Sequence, residues 1–490
     1  MRLHEIEDFG GIDADEDALR GECFQNHGAY LDAIAHRRFL IVGRKGSGKT
    51  AIFRRIITER RDDYFSFGHT FEDYPWAHHD LQAQSGVPEE RRYIPSWKYL
   101  ILLSLGKILL NQDQGIPWDD QSMESLGRLE SFIVDSYGTR DPDVSQIFTP
   151  GKELKLKGSI RFPLGGVSLE KVRMSDLPAH FQELNRRVGE HTINALHPDH
   201  DYYICFDQLD LGFNPSEPTY KDRLIGLILA ARQLSREAKA AGKRFSVIVF
   251  LRDDIYDGVH FEDKNKVTEN NVSRVEWNTD GSLTLRRLME RRFGEVLLGA
   301  GAKDWDGVFN EDRDMPGRQT KYAHICDRTF LRPRDMIKFS NEILAAHKNR
   351  GGSLDDKFDN EDVIAARDAY SDYLLRELDD EIAKQVPAYK EYLEVIKSIG
   401  RMQFTQGQFD SAWRKRPGLS GKASADGLQE LFEFSVIGYL RSGGRGGGSN
   451  YIWRYQDARA RFSHDADTFR VHAGFKESLD LTFGESKDGN

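Results

Sequence analysis

Eight consecutive residues carry most of the chemistry that can be read from this chain. Gly43-Arg44-Lys45-Gly46-Ser47-Gly48-Lys49-Thr50 fits the spacing G-x-x-x-x-G-K-[ST] and stands directly behind the apolar run Phe39-Leu40-Ile41-Val42. In such a loop Gly43, Gly46, Ser47 and Gly48 let successive backbone N–H groups curl around a phosphate. Lys49 puts a cation on the terminal phosphates, and the Thr50 hydroxyl takes a place on Mg²⁺. The residues from Thr50 to about Arg60 read as a helix whose positive N-terminal dipole faces the anion. The ligand implied is a nucleoside triphosphate with Mg²⁺.

Further candidates stand where apolar runs end. Tyr202-Tyr203-Ile204-Cys205-Phe206 leads into Asp207, a carboxylate that can anchor Mg²⁺ directly or through water, or simply close a strand-end turn. Asp210, three residues on, either works in the site or holds that turn. Phe245 to Leu251 ends in Arg252, whose guanidinium can read a γ-phosphate through charge-assisted hydrogen bonds or pair with Asp253 or Asp254. In Phe330-Leu331-Arg332-Pro333-Arg334-Asp335 a rigid proline separates two arginines; they can present a cation to nucleotide or pair with Asp335. Arg291 and Arg292, on a helix predicted over Leu283 to Leu298, read as fingers acting on a neighbouring copy or as a solvated helix face. His69, His78 and His79 lack the cysteine or acidic spacing of a metal site and read as packing or surface histidines.

A parallel sheet is needed to bring these positions together. A helical stretch from Asp17 to His36, the strand before the loop, a strand at Tyr64 to Phe67, an apolar helix near Trp97 to Leu110 and a helix from Lys221 to Ala241 alternate along the chain. In open α/β sheets ligands sit at the carboxyl ends of the strands, where Gly43, Asp207 and Arg252 all emerge. Between about residues 138 and 175, Pro142, Pro150, Pro163 and Gly165-Gly166 among short alternating runs predict an insertion carrying a β-hairpin. Its basic stretch Lys152 to Lys157 is a solvated strand or a contact for an acidic partner. Helices near Tyr389 to Gly400, Gln406 to Trp413 and Asp426 to Phe434 precede strands Val436 to Leu440 and Tyr451 to Tyr455 around the loop Arg441 to Asn450. This order predicts a winged-helix domain whose glycine-rich loop is the wing tip, with Arg441 and Arg445 meeting phosphates. The same loop also reads as a turn in a protein-docking module.

Composition narrows the class. A chain of 490 residues, 39% hydrophobic and 30% charged, has material for two to four globular domains. No apolar run approaches the about 20 residues of a bilayer span, and Met1-Arg2-Leu3-His4-Glu5 lacks the apolar core of a signal peptide, so a cytoplasmic protein with no membrane partner is expected. Cys23, Cys205 and Cys326 lie far apart, with neither a disulfide framework nor a zinc spacing. A net charge of -10 argues against nonspecific polyanion binding, although residues 401–490 carry 13 basic against 11 acidic side chains.

With these residues in place, the chain resembles the AAA+/STAND side of the P-loop NTPases, and in particular a bacterial group of P-loop ATPases. The likeness rests on Phe9-Gly10-Gly11-Ile12-Asp13-Ala14, Phe71-Glu72-Asp73-Tyr74-Pro75-Trp76 and Phe250-Leu251-Arg252-Asp253-Asp254-Ile255-Tyr256, and runs along nearly the whole chain. It implies an α/β fold: a parallel-sheet ATPase core over residues 1–300, a helical lid over 301–385 and a winged-helix domain over 386–490. Carried over by position, Lys49 and Thr50 hold phosphate and Mg²⁺, Asp207 the metal, Arg252 a sensor role, and Arg332 or Arg334 a lid contact. Many relatives place Asp or Glu directly after the metal-binding Asp; here Gln208 stands there. A carboxamide can orient water but cannot accept its proton at neutral pH.

The leading expectation is a slowly hydrolysing ATPase that acts as a switch between ATP and ADP states, with a protein partner or as a homo-oligomer. Relatives imply a regulatory or antiviral-defence setting with a companion effector. The alternatives are an origin-recognition-like ATPase gripping DNA through Arg414, Arg441 and Arg445, and a scaffold that keeps ATP as a structural ligand.

Overall fold

Apolar runs rich in β-branched and aromatic residues become the strands of one parallel sheet, buried on both faces. The computed structural model describes residues 2–72, 74–112, 118–149, 153–155, 163–164, 167–168, 171–211, 217–278, 284–297, 304–352, 356–443 and 448–483. The strands are β1 (Leu40–Gly43), β2 (Tyr64–His69), β3 (Asp201–Phe206), β4 (Arg244–Arg252) and β5 (Val272–Arg274). Their order is β2-β3-β4-β1-β5, and every neighbouring pair is parallel. β5 has no counterpart in the sequence reading: three residues at a sheet edge, following Asn270-Asn271, are too short to show a strand period.

The chain divides into two compact units. One comprises Asn26–Arg44 and Lys49–Val275 and contains the parallel sheet; the other comprises Met1–Gln25, Lys45–Gly48 and Glu276–Asn490. In the sheet unit the helix Ile94–Asn111 is buried almost all round, with Trp97, Tyr99, Leu100, Leu102, Leu103 and Leu105 at 1% exposure or less. Such a helix belongs in a core rather than at a surface. It packs against the helices Asp120–Tyr137, Leu177–Ala195 and Pro218–Ala240. In the predicted insertion, Glu153–Lys155 pairs antiparallel with Lys171–Arg173, and Pro163–Leu164 with Val167–Ser168. Pro150, Lys152, Lys157 and Gly165-Gly166 lie outside the described residues.

The helix expected from Asp17 to His36 is confined to Gly28–Ile34, with the His27 ring accepting the Ala29 amide at 3.0 Å as its cap. Asp17 does other work: its carboxylate accepts the amides of Gly11 and Leu19, both at 3.2 Å. In the second unit the helices Leu285–Val296, Lys321–Arg328, Pro333–Asn349 and Arg367–Ile382 are followed by Tyr389–Ile399, Gln406–Trp413 and Ser424–Glu433. These last three pack with an antiparallel sheet ordered Gln403–Thr405, Thr468–Val471, Ile437–Arg441, Asn450–Ile452. Its first two strands went unread in the sequence, and Arg445 lies outside the described residues. Among the described residues no helix is long and apolar enough to cross a membrane.

Helices Ile94–Asn111 and Pro218–Ala240 meet at Gly226. A Cβ there would lie 2.7 Å from Tyr93 Cβ and 3.1 Å from the Tyr93 carbonyl carbon, and the Trp97 indole donates to Arg223 O at 2.9 Å beside it. Overpacking costs about 1–3 kcal/mol, more than the roughly 1 kcal/mol of helix propensity that alanine adds. Gly226→Ala is therefore expected to lower the urea midpoint; an unchanged or higher midpoint would show that the two helices separate freely.

Candidate phosphate and metal site

Register sets the carboxyl ends of the strands side by side. Gly43 is aligned with Arg252 and Phe206 with Val249, so Arg252 leaves the middle strand of three, with the loop after β1 on one side and Asp207 after β3 on the other. The Asp207 amide donates to His69 O at 3.0 Å, which extends the β2–β3 ladder by one residue. Gln208 then takes a left-handed φ of 61°, Leu211 N donates to Gln208 O at 3.1 Å, and the Tyr220 hydroxyl donates to Leu209 O at 2.7 Å. These bonds hold the turn after Asp207, with Leu209 buried beneath it.

Lys49 opens the helix Lys49–Thr58, and its ammonium donates to Gly43 O at 2.8 Å and Arg44 O at 2.9 Å. Asp207 is 3% exposed, and its Oδ2 has no hydrogen-bond partner. Burial pushes its carboxyl up to about 6, against the Lys49 charge and a hydrogen bond from the Thr50 hydroxyl. Burial pulls Lys49 below the ordinary lysine range, with Asp210, Asp207 and Asp253 opposing the shift. Hydroxyl and carboxylate oxygens are the donors that a hard cation such as Mg²⁺ takes, so Thr50 and Asp207 fit a metal. Of the two readings of Arg252, pairing is what the structure holds. Its guanidinium grips Asp254 in two-pronged fashion at 3.0 and 2.7 Å and lies 3.5 Å from Asp210.

The residues Lys45–Gly48 are fixed within the second unit by their carbonyl oxygens. Lys45 O accepts from Arg332 Nη1 at 3.1 Å, Gly46 O from the Arg334 amide at 3.4 Å, and Ser47 O from the Trp277 indole at 2.9 Å. Gly46 and Gly48 have φ of 76° and 102°, a region other residues enter at a cost, and a Cβ on Gly46 would lie 3.0 Å from Arg334 Cβ. The Ser47 hydroxyl is buried without a partner. Lys45 pairs with Glu377 at 3.4 Å and Asp380 at 3.0 Å.

Arg332 is 1% exposed and forks onto Asp335 at 2.8 and 2.9 Å while also meeting Glu381 at 2.6 Å. Arg334 reaches Ile12 O at 3.1 Å and Glu377 at 3.2 Å, and keeps part of its side chain in solvent. Trp277, Glu377 and Glu381 were not read from the sequence. The acidic spacing Glu377, Asp380, Glu381 on one helix was the available signal, and Trp277 gave none.

Arg292 fits neither of its two sequence readings. It is 5% exposed, pairs with Asp17 at 2.5 Å and donates to Phe9 O at 2.8 Å, which makes it a core ion pair. Arg291 donates to Phe24 O at 2.5 Å. His69 and His79 are buried, bonded to Ser104 and to Tyr74 and Ser96 respectively, and burial pushes both rings down to about 3.

Comparison with known proteins gives three findings. A family described as FunZ-associated C-terminal helical domain matches residues 283–379. An 80.3 kDa protein named for transposon gamma-delta in Escherichia coli (strain K12) is 25% identical over 205 residues, which is 41% of this chain and 28% of that protein; the match thus spans under a third of the relative's length. The crystal structure of Cdc6p from Pyrobaculum aerophilum aligns over 92% of this chain and 90% of that one, at 12% identity and a TM-score of 0.31.

The folded-state value of Asp207, about 6, lies above the ordinary 3.8, so folding favours the protonated carboxyl. Stability from this group is full below about pH 4 and is lost as pH rises toward and past about 6, a loss of about 2–3 kcal/mol. Urea unfolding in EDTA should show that decline. Asp207→Asn should raise stability at pH 8 by about 1–3 kcal/mol and flatten the curve between pH 4 and 6; a variant less stable at pH 8 would contradict this account.

Proposed function

We propose that the chain binds ATP with Mg²⁺ and hydrolyses it slowly, as a nucleotide-dependent switch or assembly module with a protein partner or further copies of itself. The observation that carries this reading is the buried, unpartnered Oδ2 of Asp207 beside the Thr50 hydroxyl, at the strand ends where the glycine loop begins. Gly43, Gly46, Ser47, Gly48 and Lys49 hold the phosphates, and Thr50 and Asp207 hold the metal. Mg²⁺, when bound, neutralises charge on the phosphate oxygens. Arg252 senses the γ-phosphate once it is drawn from Asp254 and Asp210, a competition that makes its response depend on the ligand. Arg334, partly exposed, is the lid arginine available to nucleotide, whereas Arg332 holds the backbone at Lys45 and acts through it. Gln208 orients the attacking water but cannot accept its proton, which passes to a phosphate oxygen instead, and the lack of a side-chain base keeps turnover low.

A regulatory or antiviral-defence role with a companion effector is the finer form of this proposal. A second reading gives the three C-terminal helices and their antiparallel sheet, read as a winged helix, a grip on DNA. The exposed Arg414 and Arg441 favour it, and salt-dependent binding lost in their alanine variants is its signature.

Lys49→Ala should weaken ATP binding by about 10- to 100-fold, the worth of one charge-assisted contact, read by calorimetry. Gln208→Glu supplies the missing base and should raise steady-state turnover at least tenfold. ATP affinity untouched by Lys49→Ala would end the proposal; turnover unmoved by Gln208→Glu would leave a structural ATP as the better account.

A further inference from the structure

Away from the phosphate loop, two arginines of the second unit share a single part-buried carboxylate. Arg328, on the helix Lys321–Arg328, is 4% exposed, and Arg367 opens the helix Arg367–Ile382. Between these helices runs the segment 474–478. The Ser371 hydroxyl donates to Gly474 O at 2.7 Å and accepts the Ser478 amide at 3.0 Å, and the Arg328 carbonyl lies against Gly474. Ser371 is one turn on from Arg367, and His324 one turn before Arg328, so both pairs of side chains share a face. The segment brings a single carboxylate, Glu477, and it is already shared: 3.1 Å from Arg328 Nη2 and 3.7 Å from Lys476. Arg328 Nε and Arg367 Nε and Nη2 are buried without a hydrogen-bond partner. Asp327 and Asp368, the other carboxylates acting on the two arginines, are exposed. Burial lowers Arg367 to about 10, with the Arg328 charge adding to the effect.

His324 sharpens the chemistry. Its ring is 5% exposed, and burial pushes it down to about 3, so it is neutral. The Gln319 amide nitrogen donates to the Asp327 carboxylate at 2.6 Å, which turns Gln319 Oε1 toward His324 Nδ1 at 3.3 Å. A carboxylate only accepts, so the amide orientation is set, and Nδ1 carries the ring proton. The buried, unpartnered Nε2 is then an acceptor. Three guanidinium nitrogens that lack acceptors, Arg328 Nε and Arg367 Nε and Nη2, and one imidazole nitrogen that lacks a donor are complementary to an oxyanion that itself bears a proton.

We propose that His324, Arg328 and Arg367 form a binding site for a phosphate group in its hydrogen phosphate form, separate from the glycine loop. The arginine forks take the charged oxygens, and the P–OH donates to His324 Nε2. Sulfate has the same size and shape but no proton at neutral pH, so it leaves Nε2 unsatisfied and binds more weakly.

The test uses the full-length protein carrying Lys49→Ala, which weakens the loop as a second phosphate site, with melting followed at matched ionic strength. Inorganic phosphate at tens of millimolar should raise the melting temperature by about 3 °C and sulfate by much less. Arg367→Met removes an uncompensated buried charge and should melt no lower than its parent without phosphate, while losing the increment. Arg367→Lys, which keeps the charge but not the fork, should retain a reduced one. His324→Phe should erase the preference for phosphate over sulfate. Glycerol 2-phosphate separates the sources: a matching shift assigns the site to phosphate monoesters, and a shift with inorganic phosphate alone assigns it to the free ion. Equal shifts with phosphate and sulfate in the parent, no shift with either, or a shift that survives Arg367→Met would overturn the proposal.

Discussion

A carboxylate held out of water must find a partner or keep its proton, and Asp207 does neither completely. Lys49 and Thr50 offset part of its burial, yet one oxygen has no hydrogen-bond partner at all. The parallel sheet enforces this. β3 is buried along its whole length and its ladder continues one residue into the Asp207 amide, so the backbone that carries the side chain is fixed in the sheet.

Elsewhere, buried arginines are matched closely. Arg332 has Asp335 and Glu381, Arg292 has Asp17, and Arg223 forks onto Asp80 and touches Glu217. Each guanidinium meets carboxylates whose fixed geometry suits a planar fork, which lysine could not reproduce. Among the described residues, Arg328 and Arg367 differ from these three in sharing one carboxylate, Glu477.

The glycine loop and the apolar runs were legible because they are local: a spacing of eight residues, or a strand with no polar break, announces itself in one window. β5 and the strands Gln403–Thr405 and Thr468–Val471 were not, since three or four residues at an edge acquire strand geometry from a partner far away in sequence. The same limit governs the charges. Arg252 and Arg332 were found as candidates from position alone, but that one grips Asp254 and the other Glu381 follows from which helices pack together. Asp17 misled most, because a sequence that reads as a helix start instead supplies a carboxylate to an arginine 275 residues away.

The narrowness of β5 bears on how the sheet breathes. β1, which leads into the glycine loop, is paired on one side with Val249–Arg252, the last four residues of β4, and on the other with the whole of the three-residue β5. Opening β5 requires few contacts to break and leaves β2, β3 and β4 joined, so backbone amides of β1 on that side can exchange with water through a local fluctuation rather than global unfolding. The strands that aim the loop and Asp207 each lie one in from an edge, but the edge beside the loop strand is three residues long and the edge beside the Asp207 strand is six.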